Sequence, residues 1–191
     1  MTAATSDMPP QGDWTSDDLD RLPEDGVRRE IIDGILHVTP SPSSVHQTLA
    51  LLLGSALVRS CPDHLFVSQA NDVILSPQRR YVPDLLVVTF EAAKSKTGKF
   101  TSDEVVLAAE IVSPSTKSID SLTKPAFYAH AGIPFYWLIE TNDGITVSVY
   151  ELNTDERIYE PLETFSGDDT IRLDRPWQIE IPLTSIRPRN L

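Results

Sequence analysis

The chain has 191 residues, 40% of them hydrophobic, and carries 16 Lys and Arg against 28 Asp and Glu. These figures predict one soluble globular domain, because a chain of this length can bury a sizeable core without disulfides or structural metals. A single cysteine excludes an internal disulfide, and Cys61 has no Cys or His at the spacing of a zinc site. The longest apolar stretch, Leu49 to Val58, is too short to cross a bilayer, and the first 20 residues lack the features of a secretory signal. We therefore expect a cytoplasmic protein with no membrane partner.

The net charge of −12 argues against nucleic acid as a partner, since Lys and Arg drive phosphate binding by displacing counterions. The acids, however, concentrate in residues 1–25 and 141–170, whereas residues 26–140 are close to neutral. Five bases fall within 21 residues of that central segment, namely Arg79, Arg80, Lys94, Lys96 and Lys99. They form either a local patch for phosphate or an ordinary solvated loop, and the sequence leaves both open.

The first third of the chain predicts a tail, a short helix and a hairpin. Residues 1–13 are polar and aperiodic, so we expect a disordered acidic tail, with a single domain over residues 14–191. Thr15 or Ser16 before DDLDRL predicts the N-cap of a short helix with an acidic first turn. In EIIDGILHV, Asp33-Gly34 between apolar pairs predicts a two-residue β-turn, because both turn positions require positive φ.

The remaining elements indicate an α/β domain. Apolar residues from Val45 to Ala56 recur at helical spacing after a Ser43 or Ser44 cap. The segments LFVSQ, DVILS, DLLVVTF and VVLAAEIV predict strands, and the last two are apolar enough to be covered on both faces. A second helix is expected within residues 118–131, before Gly132, followed by strands at FYWLIE and ITVSVYEL. We expect an α+β mixed sheet with a C-terminal β extension.

Two carboxylates lie within these apolar strand segments. Asp84 opens DLLVVTF directly after Pro83, and Glu110 lies inside VLAAEIV. Burial of an isolated carboxylate is costly, so such residues are usually paired, hydrogen-bonded or bound to a metal. A Mg²⁺ ion would suit two carboxylates on neighbouring strands, because it prefers oxygen ligands and commonly binds through one or two carboxylates. The alternative is that Asp84 caps a strand end after Pro83 and that Glu110 pairs with an Arg or Lys, and spacing alone favours this alternative.

An ordered set of motifs gives the chain a family resemblance. PDLLVV, then Glu110 in AEIVSPST 26 residues after Asp84, and then Asp120, Lys124, Tyr128 and GIPFYWLIE resemble the PD-(D/E)XK nuclease superfamily. The upstream EIIDG and SPSSVH are similar to the Uma-type family of restriction-endonuclease-like proteins within it. Each motif is weak alone, but the resemblance covers roughly residues 14–185.

The resemblance implies a restriction-endonuclease-like core and a metal site. Asp84 and Glu110 would bind Mg²⁺ or Mn²⁺, with the backbone carbonyl of Ile111 as a further ligand. The superfamily's usual lysine, two positions after the second acid, is Val112 here. The family is thought to supply a lysine from the following helix, and Lys124 matches that position.

Two departures affect this assignment. Pro125 follows Lys124 directly, and because proline disfavours helical geometry in the residue before it, the helix could begin at Pro125 and redirect Lys124. Phe135 stands where the family often has Glu. Asp120 would share a helical face with Lys124, although an exposed pair of this kind would have little energetic consequence.

Glu30 and His46 are secondary candidates from the same resemblance. Glu30 matches an upstream acid that would support the metal or its waters, although a paired strand carboxylate is equally expected. His46 matches a recurring histidine that would contact phosphate or act as acid or base, with a structural histidine as the alternative. The aromatic residues of the helix-to-strand junction are expected in the core. Gly98 in KTGK lacks the spacing of a phosphate-binding loop, so no nucleotide cofactor is expected.

The leading hypothesis is therefore a metal-dependent endonuclease of bacterial type that acts on nucleic acid, DNA by expectation. A catalytically inactive nuclease-fold module that binds DNA or protein is the alternative, because folds do not guarantee function. A homodimer through the FYW region or the C-terminal strands is compatible with either.

Overall fold

The computed structural model describes residues 8–113 and 116–189. Residues 1–7 of the expected tail lie outside this part of the chain. Residues 8–13 lie against the first hairpin: the Gly12 amide donates to the Gly34 carbonyl at 2.9 Å, and the Gln11 side chain accepts from the Leu36 amide at 2.9 Å. The single-domain boundary at residue 14 remains a prediction.

Helices and strands alternate irregularly along the chain. The α-helices are α1 (Ser16–Asp20), α2 (Ser44–Ser60), α3 (Phe90–Ala93), α4 (Lys124–His130) and α5 (Leu183–Ile186), with a 3₁₀ turn at Ser102–Glu104 and a π-helical segment at Ile119–Thr123. The first seven strands are β1 (Arg28–Ile32), β2 (Ile35–Thr39), β3 (Leu65–Gln69), β4 (Asp72–Ser76), β5 (Arg79–Tyr81), β6 (Leu85–Thr89) and β7 (Lys99–Thr101). The others are β8 (Val105–Ile111), β9 (Phe135–Glu140), β10 (Thr146–Asn153), β11 (Ile158–Ser166), β12 (Thr170–Leu173) and β13 (Ile179–Pro182).

The local signals in the first third of the chain are confirmed. Thr15 caps α1 through a capping box with Asp18. Asp33 and Gly34 both adopt positive φ, at 49° and 74°, and join β1 to β2 as an antiparallel hairpin. Ser43 caps α2 by accepting from the His46 amide.

The larger sheet is mixed, as the sequence predicts. Its strand order is β11-β10-β9-β8-β6-β3, with β8 and β9 parallel and the other pairs antiparallel. Strand β6 begins at Leu85, one residue after Asp84, whose carbonyl still accepts from the Ala70 amide at 3.3 Å. A second sheet has the order β2-β1-β5-β4-β7. It includes β5 and β7, which have three residues each and are too short to show an apolar pattern in the sequence.

Both faces of the larger sheet are covered, as the apolar β6 and β8 predict. On one face, Leu49, Leu53 and Leu57 of α2 pack against a core that includes Leu85 and Leu107. On the other face, α4 and the five-stranded sheet contribute further buried residues to a second cluster, among them Tyr128, Val73 and Tyr81.

The C-terminal β extension closes the α2 side of the core. Strands β12 and β13 form a separate two-stranded sheet, and their inward residues join the α2 cluster. The Trp177 indole donates to the Ser60 hydroxyl at 3.2 Å, at the last residue of α2. No helix in the described ranges is long and apolar enough to span a membrane.

Candidate functional site

The two strand carboxylates lie side by side where β6 begins and β8 ends, on two neighbouring interior strands of the larger sheet. Leu85 of β6 pairs with Ala109 of the antiparallel β8, so the next positions of this register place Asp84 opposite Glu110. Asp84 is 5% exposed and Glu110 is 1% exposed. The polypeptide therefore buries two acids side by side, which requires compensation by cations or protons.

Asp84 receives its compensation from three donors. Its Oδ1 atom lies 2.8 Å from Nη1 of Arg28, and its Oδ2 atom lies 3.0 Å from Nε2 of His46. The Ile111 amide donates to the same Oδ2 at 2.8 Å. Burial is the largest influence and raises the pKa of Asp84, but the hydrogen bond from His46 and the Arg28 charge outweigh it and lower the pKa to about 2. Asp84 is therefore an anion at neutral pH.

The Lys124 ammonium group contacts three buried carboxylates, none of which is Asp84. Its Nζ atom is 2.9 Å from Glu110 Oε1, 3.0 Å from Glu30 Oε1 and 3.3 Å from Asp120 Oδ1. The side chain is 2% exposed. Burial, the largest influence, lowers the pKa of Lys124, but the three acids together raise it above its ordinary value. The ammonium group therefore keeps its proton.

The expectation that a helix begins at Pro125 is wrong. The chain is already helical at Ile119–Thr123, and Lys124 has φ −60° and ψ −49°, in the right-handed helical region. Pro125 lies in the first turn of α4, where the missing amide proton costs little, and the five residues before α4 form a wider π-helical turn. Pro125 disfavours this helical conformation at Lys124, but the ion pairs of Lys124 stabilise it.

Two of the acids around Lys124, Glu110 and Asp120, hold protons more tightly than free carboxyl groups do. Burial raises the pKa of Glu110 well above its ordinary value against the opposing effect of Lys124, and the nearby Asp120 adds to the increase. Burial also raises the pKa of Asp120, which is 3% exposed. The Tyr128 hydroxyl donates to Glu110 Oε1 at 3.0 Å. Asp120 and Lys124 thus form a buried pair, in contrast to the exposed pair that was the alternative.

Glu30 and His46 both reach the same site from other elements. Glu30, on β1, is 5% exposed and accepts from the Val82 amide at 2.7 Å in addition to its contact with Lys124. His46 lies in the first turn of α2, and its Nδ1 atom is buried with no hydrogen-bond partner in the described part of the chain. The structure thus brings together all five side chains that the sequence singles out as catalytic.

A cavity of about 260 Å³ opens onto this cluster. Its lining combines the charged residues with Ile111 and with several hydroxyl-bearing residues, namely Thr39, Ser41, Ser43, Ser113, Thr116 and Thr141. Ile111 borders the cavity, but its amide faces Asp84, and the role of its carbonyl as a ligand remains a prediction. Val112 is 9% exposed and belongs to the core, so no lysine approaches from that position.

Two residues of the site were missed by the sequence reasoning. Arg28 was assigned no role, although alternation along a strand places it on the same face as Glu30. Its Nη1 atom contacts Asp84, its Nη2 atom donates to the Val82 carbonyl, and Nη2 lies 3.9 Å from Glu30. Tyr128 was expected in the core and is fully buried there, but its hydroxyl also contacts Glu110.

The central basic residues do not form an open phosphate-binding patch. Arg79 pairs with Asp33, Lys94 pairs with Glu91, and Lys99 pairs with Asp20. Arg80 is buried and bridges acids from α1 and β4. Four of the five bases thus already have an acidic partner, which argues against a patch of free cations.

Comparison with known proteins agrees with the fold. A family model, Uma2, described as "Putative restriction endonuclease", matches residues 16–184. Among solved structures, a chain described as a "putative nuclease" from Anabaena variabilis ATCC 29413 has the same fold, with a TM-score of 0.72 and 19% identity over 90% of this chain and 96% of that one. No curated protein matches. Because the family model spans most of the chain and the fold agrees, the protein belongs to the Uma2 family of restriction-endonuclease-like proteins.

Proposed function

We propose that the protein is a metal-dependent endonuclease that hydrolyses phosphodiester bonds in nucleic acid, with DNA as the expected substrate. The observation that carries the proposal is a cluster of four buried acids, Glu30, Asp84, Glu110 and Asp120, at an open cavity. Their fixed counter-charges are Lys124 and Arg28, so with all four acids ionised and His46 neutral the cluster has a formal excess of two negative charges. Such an excess suits a divalent cation.

The donor chemistry of the site fits Mg²⁺ or Mn²⁺. Asp84 and Glu110 would hold the ion, with the Ile111 carbonyl as the third protein ligand. Across the described ranges, no three His, Cys, Asp or Glu side chains are grouped as a ready-made metal site. Two carboxylates suffice for Mg²⁺, however, because this ion keeps several of its waters. The bound ion would supply Lewis-acid activation of the phosphodiester and of a water.

The side chains around the ion would divide the remaining work. Lys124 keeps its proton, so it would orient the attacking water and stabilise developing negative charge; the raised pKa argues against a general base. Glu30 would position Lys124, because one oxygen contacts both the ammonium group and the Val82 amide. His46 would fix the Asp84 carboxylate, because its Nε2 atom lies 3.0 Å from Oδ2 of Asp84.

Cleavage assays on plasmid DNA and on single-stranded DNA and RNA test this function. With Mg²⁺ or Mn²⁺, the wild type should cut, and Asp84→Ala and Glu110→Ala should not. Glu110→Gln keeps the size of the side chain in case alanine disturbs folding. Glu91→Ala is the matched control, because Glu91 is an exposed acid paired with Lys94. Undiminished cleavage by Asp84→Ala and Glu110→Ala would refute the assignment.

One observation favours the non-catalytic module as a second candidate. Asp84 is fully engaged by Arg28, His46 and the Ile111 amide, so the cluster is already partly neutralised within the chain. This candidate predicts nucleic-acid binding without hydrolysis under any metal condition. Calorimetric titration of Mg²⁺ and Mn²⁺ into the wild type and Glu110→Gln separates the two, because only the enzyme requires a metal site that the substitution weakens.

A homodimer remains a proposal with a narrower choice of surface. Phe135, Tyr136 and Trp137 are at most 7% exposed inside β9, so they are not available to a second copy, and that route to a dimer is wrong. Strand β11 is an edge of the larger sheet and is mostly exposed. Among the strands of the C-terminal part, β11 is the one that a second chain could pair with in the larger sheet, and light scattering tests the resulting mass.

A further inference from the structure

Arg28 occupies an unusual position between acids and a cavity. It extends from β1, and its side chain is 21% exposed, which leaves the guanidinium group mostly out of bulk water. Nη1 lies 2.8 Å from Asp84, and Nη2 contacts both the Val82 carbonyl and, at 3.9 Å, Glu30. Arg28 also separates the site cavity from a neighbouring groove, because it lines both.

The charges explain why the folded chain needs this arginine. Four acids surround the cavity, and Lys124 contacts three of them: Glu30, Glu110 and Asp120. Asp84 is the acid that Lys124 does not contact, and Arg28 is its permanent cation, since His46 is charged only when protonated. A buried carboxylate without such a partner is strongly destabilising.

We propose that Arg28 is an internal counter-ion of Asp84 that competes with a divalent cation for the same carboxylate. The competition rests on the proposed function, because it requires Asp84 to be a metal ligand; the counter-ion role does not. Both cations bind Asp84 through its oxygens, and a guanidinium group next to a divalent ion is repelled by it. With a divalent ion on Asp84, the Arg28 guanidinium would leave Oδ1, and its paired N–H donors would be available at the cavity to bind phosphate in a bidentate manner.

Calorimetric titration with Mn²⁺ tests the competition directly. Arg28→Gln removes the charge, and Arg29→Gln is the matched control, because Arg29 is the adjacent residue and pairs with Asp25 outside the cluster. Arg28→Gln should bind Mn²⁺ at least about tenfold more tightly than the wild type, since one repelling charge within a few ångströms is lost. Arg29→Gln should bind like the wild type. An equal or lower affinity in Arg28→Gln overturns the competition.

Thermal unfolding in EDTA tests the counter-ion role without any metal. Arg28→Gln should melt below Arg29→Gln, and Mn²⁺ should close most of the gap. Equal melting temperatures in EDTA would overturn the role. Arg28→Lys keeps a positive charge at this position and should stay folded even if Arg28→Gln does not. Its Mn²⁺ affinity should be close to that of the wild type. A Mn²⁺ affinity in Arg28→Lys about tenfold above that of the wild type, as expected for Arg28→Gln, would count against the proposal.

A double variant locates the effect and separates this inference from the proposed function. In Arg28→Gln combined with Asp84→Asn, the gain in Mn²⁺ affinity should disappear; a gain that persists shows that the competition is not for Asp84. Absence of Mn²⁺ binding in every chain also overturns the competition. Metal binding with the predicted gain but no cleavage of any substrate would refute only the proposed endonuclease.

Discussion

Replacement of Lys124 by Met tests how strongly one buried ammonium group supports the fold. Lys124 is 2% exposed and lies 2.9 to 3.3 Å from the nearest oxygens of Glu110, Glu30 and Asp120. Met fills a volume similar to that of Lys, so the substitution removes the positive charge with little change in packing. The three buried acids then have no ammonium partner. Loss of one partner from a buried ion pair typically costs about 3–5 kcal/mol. For a domain of this size, that corresponds to a melting temperature lower by roughly 6–20 °C.

The assay is chemical unfolding followed by circular dichroism at pH 7.5 and pH 4.5. Burial raises the pKa of Glu110 and of Asp120, so both accept protons more readily than free carboxyls as the pH falls. A protonated acid needs no ammonium partner, and the destabilisation of Lys124→Met should therefore be smaller at pH 4.5 than at pH 7.5. Lys117→Met is the control, because Lys117 is 60% exposed and its nearest acid, Glu140, is 3.9 Å away.

Two results would refute this reasoning. A destabilisation below about 1 kcal/mol at pH 7.5 would mean that the acids around Lys124 are already neutral or relax towards water. A loss that is the same at both pH values would mean that lost packing, rather than charge, explains the effect. In either case the roles assigned to Lys124 would have to be revised.

Two further predictions concern Asp84 and the first hairpin. Asp84 has a folded pKa of about 2, below the unfolded value of 3.8, so its stabilising contribution is complete above pH 4 and is lost as the pH falls through 2. In urea titrations, the wild type should therefore lose about 1 kcal/mol of stability by pH 3 and about 2 kcal/mol by pH 2, relative to Asp84→Asn. A difference in stability that does not change with pH contradicts this prediction. Gly34 has φ +74°, and an added Cβ would overlap the Gly12 carbonyl, so Gly34→Ala should destabilise by about 1–3 kcal/mol in thermal scans. Gly144→Ala, at φ +91° with open space around it, isolates the backbone strain, and equal losses in the two variants would show that the overlap is relieved without cost.

The elements that the sequence predicts well are those fixed by neighbouring residues. The Asp33-Gly34 turn depends on two positive φ values, which these residue types tolerate wherever the chain goes. The cap of α2 is a contact between Ser43 and an amide three residues away. The core strands β6 and β8 follow from continuous apolar runs, because such runs avoid water in almost any fold.

The candidate site is determined by sequence only in part. Resemblance to a family singles out Asp84, Glu110 and Lys124, and two isolated carboxylates in apolar strands are anomalous on physical grounds alone. The local effect of Pro125 predicts a different direction for Lys124. That prediction fails because a proline in a first helical turn costs little and because three acids stabilise the observed conformation.

Tertiary structure alone decides which charges compensate one another. Arg28 and Asp84 are 56 residues apart, and His46 and Asp84 are 38 apart, so no pattern along the chain could pair them. Lys124 could have paired with Asp120 alone on an exposed helix face, at little energetic consequence. Packing of α4 against the larger sheet instead buries Lys124 among acids from three elements. The sequence thus determined which residues carry charge, and only the fold decided, through burial, which of those charges matter.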